Sequence, residues 1–315
     1  MSAGRAIGLL LGVAADGIVG HPKDGRPVAG FARVARALEK RIYADHPVPG
    51  AVHAGLLAGG AVVLGVLTER AGRRSPVLQA TGTAITTWAV LGGAALAIDG
   101  TELARDLETG RLDSARDTLS ELDPRDTDGL TVIALSRASV ETVAESTSDA
   151  VVSPLFWGAV AGAPGLLGAR AVKVLRRMNS SPARNQRFGW VVVRLDELIN
   201  LLPTRLAAAL TVSGAPVVGG SAAGAWRAWQ RDASAHPSPN AGRVEAAFAG
   251  ALEIRLGGRT VYPHGVEELP VLGDGRNPDA GHVTRAVELS RVVGWLAGLT
   301  SALIALLIGL RHRRP

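Results

Sequence analysis

Glu141, Glu145 and Asp149 stand at successive four-residue intervals in the stretch SRASVETVAESTSDAVVSPLFW, residues 136–157, which then turns apolar. On a helix, residues four apart lie above one another on one face. Three carboxylates therefore share a narrow arc and repel one another unless something cationic shares that face: a metal, an amine or a set of arginines. Oxygen ligation of a divalent ion is the natural chemistry, and Mg2+ is the expected ion where a substrate bears phosphate. The plainer reading is an exposed acidic face balanced by arginines such as Arg137. The run Val151–Trp157 weighs against it, because exposure should fall along a helix that enters apolar sequence.

Four other constellations carry potential chemistry. Asp196 and Asn200 are again four apart, followed by Pro203 and Arg205, within the apolar stretch Trp190–Gly220. Ionisable groups at membrane depth are rare and read as functional by default; the alternative is an interfacial helix with its charges among headgroups. Asp16, in the apolar stretch Ala6–Gly20, either bonds to backbone at a helix end or faces the site. Arg125-Asp126-Thr127 follows Pro124, and its guanidinium suits bidentate phosphate binding, while Asp126 or Thr127 equally suits a helix cap. In HPSPNAGRVEAAFAG, residues 236–250, Asn240 or Ser238 would cap a helix whose first amides attract an anion. Gly257-Gly258 ahead of Tyr262 adds a tight turn.

Several chemistries are excluded. Cysteine is absent, which removes disulfides, thiolate nucleophiles and Cys-ligated zinc. Lysine occurs only at positions 23, 40 and 173, leaving little for Schiff-base or P-loop chemistry. There is no GxxxxGK[ST], HExxH, GxGxxG or GxSxG pattern, and the histidines lack ligand spacing. The net charge of +6 is dispersed among acids, so no nucleic-acid partner is expected.

The elements that must position these groups are membrane helices. Hydrophobic residues make up 47% of the 315-residue chain, mean hydropathy is +0.20, and several runs approach the ~20 apolar residues of a bilayer crossing. The expected fold is all-α: one polytopic membrane domain over residues 1–315, with amphipathic helices and long polar loops on one side. Spans are expected at about 6–20, 52–68, 76–98, 190–218 and 292–310, with polar segments at 21–51, 99–149 and 221–291. Ala150–Leu167, with two prolines and three glycines, suits a broken or re-entrant helix. Residues 99–122 read as amphipathic helix broken at Gly110. Ala6–Gly20 lacks the basic n-region and cleavage site of a signal peptide. A multi-pass cell-membrane protein follows. Basic-residue counts put segment 21–51, and with it the motif-bearing loops, in the cytoplasm, while the basic tail Arg311-His312-Arg313-Arg314 argues the other way.

Taken in order, these segments resemble the membrane-bound cobinamide-phosphate synthase family of cobalamin biosynthesis (CobD in aerobic pathways, CbiB in anaerobic ones). The landmarks are Asp16–Gly30, Arg125-Asp126-Thr127, the residue 136–157 block, Arg170–Met178, Phe188-Gly189-Trp190, RLDELINLLPTRL, SPNAG followed by AGALEIRLGG, and Tyr262. The resemblance implies amide-bond formation between adenosylcobyric acid and (R)-1-amino-2-propanol or its O-phosphate, with ATP activating the carboxylate and Mg2+ assisting. It implies Glu141, Glu145 and Asp196 as catalytic residues and Glu141, Glu145 and Asp149 as metal ligands. Substrate binding would fall to Asp16, Arg125, Asp126, Asn200, Arg205, Ser238 and Asn240. The implied partners are a corrinoid, a small amino alcohol (phosphate) and the bilayer, with self-association left open. The chain departs from the family pattern at Gly20-His21-Pro22, Arg26-Pro27-Val28, Glu145-Ser146, Asp196-Glu197 and Lys173–Met178, where Lys173 and Arg176 replace an Asn and an Asp. Those two cations also fit a catalytically degenerate relative acting as membrane scaffold or regulatory sensor.

Overall fold

The computed structural model describes residues 2–20, 27–179 and 186–311. His21, Pro22, Arg26 and the tail beyond Arg311 lie outside those residues. The described chain is helical apart from one hairpin, and it divides into two compact units, one of residues 1–94, 150–200 and 297–315 and the other of residues 95–149 and 201–296.

The first unit holds α1 (Ser2–Val19), α2 (Pro27–Ile42), α3 (Pro47–Gly72), α4 (Pro76–Val90), α8 (Ser153–Ala161), α9 (Ala163–Met178) and α10 (Trp190–Ile199). Small residues set its packing. Gly8 and Gly12 of α1 press on α4 so closely that an added Cβ would lie 2.5 Å from the Thr83 Cβ and 2.4 Å from the Thr87 Cβ. Helix α9 lies along α3, burying Val172 and Leu175 with Ala54, Leu57 and Val192. Ala150–Leu167 is broken as its prolines and glycines suggest: a π-helical turn at Ser148–Val152 leads into α8, and Gly162 (φ 69°) separates α8 from α9. The Glu69 carboxylate closes that break, accepting from Arg5 at 2.5 Å and from the Ala163 N–H at 3.2 Å.

The second unit holds most of α5 (Gly93–Glu108), α6 (Leu112–Leu122), α7 (Val132–Thr147), α11 (Leu201–Gly214), α12 (Ala222–Asp232), α13 (Ala241–Leu252) and the hairpin β1 (Leu256–Tyr262)–β2 (Gly265–Leu272). Helix α14 (Ala280–Arg311) begins here and ends in the first unit. Helix α13 is its centre, with Val244 through Leu252 all buried. The expected Gly110 break separates α5 from α6, with Gly110 at φ 73°. The hairpin is an addition to the all-α expectation. Its strands are antiparallel, with a bulge between Leu256 and Gly258 where Gly257 and Gly258 adopt φ near 80°. The Gly-Gly pair therefore bends a strand rather than making an isolated turn.

Four runs among the described residues are long and apolar enough to cross a membrane: Pro47–Gly72, Pro76–Glu108, Leu201–Val218 and Ala280–Arg311. Three contain the expected spans 52–68, 76–98 and 292–310. The span expected at 190–218 is corrected, because the helix breaks at Asn200 and only its second half qualifies. Arg194, Asp196 and Glu197 thus sit on the separate helix α10, which relieves the cost of burying them in lipid. The expected first span is α1, which is not among the four. Exposed Trp295, Leu299, Leu303, Leu307 and Leu310 form a stripe along α14, the pattern of a lipid-facing surface capped by an interfacial tryptophan.

Candidate functional site

The acidic stretch of α7 belongs to a buried polar cluster within the second unit. Thr131 caps the helix, its Oγ1 accepting from the Ala134 N–H at 3.3 Å. Glu141 and Asp149 are buried while Glu145 is exposed. The cation that meets Glu141 is Arg125. Its Nη1 donates to Glu141 Oε2 at 2.7 Å and its Nε to Asp123 Oδ1 at 2.8 Å. Glu141 Oε1 accepts from the Gly257 N–H at 2.7 Å, and Asp123 Oδ2 from the Thr142 hydroxyl at 2.9 Å. Burial works to lower the Arg125 pKa, yet Glu141 and Asp123 hold it above the ordinary arginine value. This guanidinium, expected as a phosphate ligand, is engaged by two protein carboxylates.

The metal expectation for Glu141, Glu145 and Asp149 does not fit this geometry. Glu141 is committed to Arg125 and a backbone amide, and Asp149 lies in the π-helical turn rather than on the α-helical ladder. Among the described residues no three His, Asp or Glu side chains could hold a metal ion.

Glu245 of α13 is the residue that spacing did not reveal. Burial first, then the nearby Glu141 and Glu145, push its pKa well above the usual carboxyl value, with Arg125 opposing. His236 Nε2 lies 3.6 Å from Glu245 Oε2, and its Nδ1 accepts from the Ser238 N–H at 3.0 Å. Burial pushes the His236 pKa down, so both shifts disfavour a charged imidazolium–carboxylate pair. The sequence signal was a lone carboxylate inside the small apolar run VEAAFAGAL. Tyr262 borders the cluster, and burial raises its phenol pKa to about 12.

The remaining candidates divide between the units. In the second, Ser238 is the acceptor at the start of α13, its Oγ taking the Ala241 N–H at 3.1 Å, whereas Asn240 Oδ1 accepts from the Thr204 hydroxyl at 3.3 Å. Arg205 Nη1 donates to the Leu201 carbonyl, and Asp126 accepts from the Asp128 N–H while its own N–H donates to the Val261 carbonyl at 2.9 Å. In the first unit, Asp16 Oδ2 accepts from the Ala94 N–H at 3.0 Å, holding the start of α5. Asn200 Nδ2 donates to Asp196 Oδ1 at 2.9 Å and its Oδ1 accepts from the Ser153 hydroxyl at 2.6 Å. Lys173 Nζ lies 3.5 Å from Asp196 Oδ2. Arg176 Nη1 donates to the Asn179 carbonyl at 3.3 Å.

Comparison with known proteins agrees across nearly the whole chain. The family model described as CobD/Cbib protein matches residues 9–290. Cobalamin biosynthesis protein CobD of Mycobacterium tuberculosis is 49% identical over 311 residues, covering 98% of this chain and 97% of its own. The protein of the same name from Chromobacterium violaceum is 35% identical over 98% of this chain and 99% of its own. That from Geobacter metallireducens is 37% identical over 86% and 87%. No solved structure matches. With a family match from Leu9 to Ser290 and relatives aligned almost end to end, the chain belongs to the CobD/CbiB family.

Proposed function

We propose that this chain forms the amide bond joining adenosylcobyric acid to (R)-1-amino-2-propanol or its O-phosphate. Its place in cobalamin biosynthesis rests on family membership and on end-to-end relatives of that name. The observation that carries the chemical reading is the buried Glu245 carboxyl, its pKa raised by burial and by Glu141 and Glu145, 3.6 Å from His236.

Amide formation from a free carboxylate needs activation. In this reading ATP is the activating co-substrate: a carboxylate oxygen of the corrinoid takes a phosphoryl group, giving an acyl phosphate and ADP. The amine nitrogen then attacks the acyl carbon, the C–N bond forms, and the C–O bond breaks with phosphate leaving on its electron pair. The nitrogen's surplus proton needs an acceptor whose pKa lies near the working pH. We assign that role to Glu245 in its ionised form, with His236 orienting it. Glu145, exposed amid buried neighbours, receives the ammonium end of the amino alcohol. Glu141 positions Arg125 and the β1 backbone. Mg2+ would accompany the phosphates of the nucleotide rather than occupy a protein-built cage.

The test supplies the full chain in detergent with adenosylcobyric acid, aminopropanol phosphate, ATP and Mg2+. Cobinamide phosphate should accumulate, and its absence beside an active relative would sink the assignment. Glu245→Gln and Glu145→Gln should each lower kcat by about two orders of magnitude or more while the protein still inserts. The Lys173–Asp196 pair favours a second reading, a membrane scaffold or sensor without catalysis. A chain that inserts but makes no product in the same assay would support it.

A further inference from the structure

A cleft of about 520 Å3 opens in the first unit between α2 and α9. Arg36 and Glu39 line it from α2, and Arg170, Lys173, Arg177 and Met178 from α9. The α9 cations recur at i, i+3 and i+7, one face of the helix, while Val172 and Leu175 on its other side are buried against α3. The cation-bearing face is therefore held in place by the core packing behind it. Four cations and one carboxylate line the cleft, and with Asp196 of α10 lying 3.5 Å from Lys173 the cations still outnumber the acids, which favours an anion. Three of the four are arginines, whose planar forks match phosphate oxygens bidentately. Met178 and its apolar neighbours give the cleft a greasy flank beside the charges.

We propose that the α2–α9 cleft binds an organophosphate: a phosphate group held by Arg36 and Arg177, with Arg170 and Lys173 adding positive charge to the lining and the ligand's less polar part against Met178. Two sources supply that chemistry. One is a soluble phosphate ester such as a nucleotide; the other is the headgroup of an anionic phospholipid, since basic pockets beside membrane helices recruit such lipids. The cleft lies apart from the Glu141–Glu245 cluster in sequence and in unit, and the proposal stands whether or not the synthase reading does.

The full chain in phosphatidylcholine nanodiscs is titrated with ATP, and separately is exchanged into phosphatidylglycerol nanodiscs, extracted, and weighed intact for retained lipid. Each arm is run on wild type, on Arg36→Gln/Arg177→Gln, and on Arg33→Gln, which removes an exposed charge from α2 without touching the cleft. Arg36 and Arg177 are both exposed, so the double variant should fold, and circular dichroism checks it. A loss of ATP affinity of at least about tenfold in the double variant alone, as expected for two charge-assisted contacts, supports the proposal with a soluble ligand. Retention of phosphatidylglycerol by wild type and Arg33→Gln, lost in the double variant, supports it with a lipid. If the double variant matches wild type in both arms, or Arg33→Gln loses as much as it does, the proposal is overturned. Both arms read binding and neither reads turnover, so a failed synthase assay and a failed cleft are distinguishable.

Discussion

The raised pKa of Glu245 gives the stability of the second unit a definite pH dependence. Its folded pKa lies above the ordinary 4.5, so between 4.5 and the folded value the native state retains a proton that the unfolded chain has released. Stability then falls as pH rises, its full contribution being present below the unfolded pKa and lost through the folded one. Glu245→Gln removes the titration. Its Tm should match wild type near pH 4.5 and exceed it by a few degrees at pH 8; parallel Tm curves would refute the raised pKa. Arg125 sets the opposite kind of dependence. It is 8% exposed and pairs with Glu141, which is 4% exposed, so Arg125→Met leaves two buried carboxylates without their cation. The expected cost is about 3–5 kcal/mol. Combining it with Glu141→Gln should recover part of that loss, and a strictly additive double-mutant cycle would contradict the pairing. Four-residue spacing found Glu141 and Glu145 because repulsion between like charges is a local property of one helix. It did not find Arg125 as the cation that meets Glu141, since that contact joins a loop and a helix sixteen positions apart. Nor did it single out Glu245, whose partners reach it only through tertiary packing.

Helix type and the membrane-length runs were legible at the scale of elements, because apolar length and glycine-proline punctuation are read from consecutive residues. The Gly110 and Gly162 breaks are cases in point: each is a glycine at positive φ between two helical patterns. The break at Asn200 was hidden because residues 190–218 keep an apolar character on both sides of it. The hairpin was missed because the glycines at its start read as turn chemistry, while the alternation that would have marked β1 is short. Close contact of α1 with α4 is written in Gly4, Gly8 and Gly12, a spacing of four that brings three side-chain-free positions onto one face. An added Cβ at Gly8 would lie 2.5 Å from Thr83, too near for any relaxation confined to a side chain tip. Gly8→Leu should therefore destabilise by roughly 1–3 kcal/mol through overpacking, read as a lower Tm in detergent. A control at Gly59 of α3, where nothing lies within 4 Å of an added Cβ, should tolerate the same change.

Across the whole molecule, hydrogen bonds within the second unit constrain how the chain threads the bilayer. The Asp126 N–H donates to the Val261 carbonyl at 2.9 Å and the Gly257 N–H to Glu141 at 2.7 Å. These contacts predict that segments 109–149 and 253–276 lie on one side of the membrane. The number of crossings between Asp149 and Ala222 must then be even. Leu201–Val218 is long and apolar enough to provide one. If it crosses, a second crossing between Asp149 and Leu201 is needed, and among the described residues no run there is long and apolar enough to provide it. If Leu201–Val218 does not cross, its apolar residues must be covered by protein, and 44% of that run is buried against 28% for Pro47–Gly72. Either route gives the same observable. Because the chain has no cysteine, Ser120→Cys and Glu268→Cys, both exposed, each report one position to a membrane-impermeant maleimide. Both should be labelled in intact cells or both only after permeabilisation, and opposite behaviour would break the contact between α6–α7 and the hairpin on which the buried cluster depends.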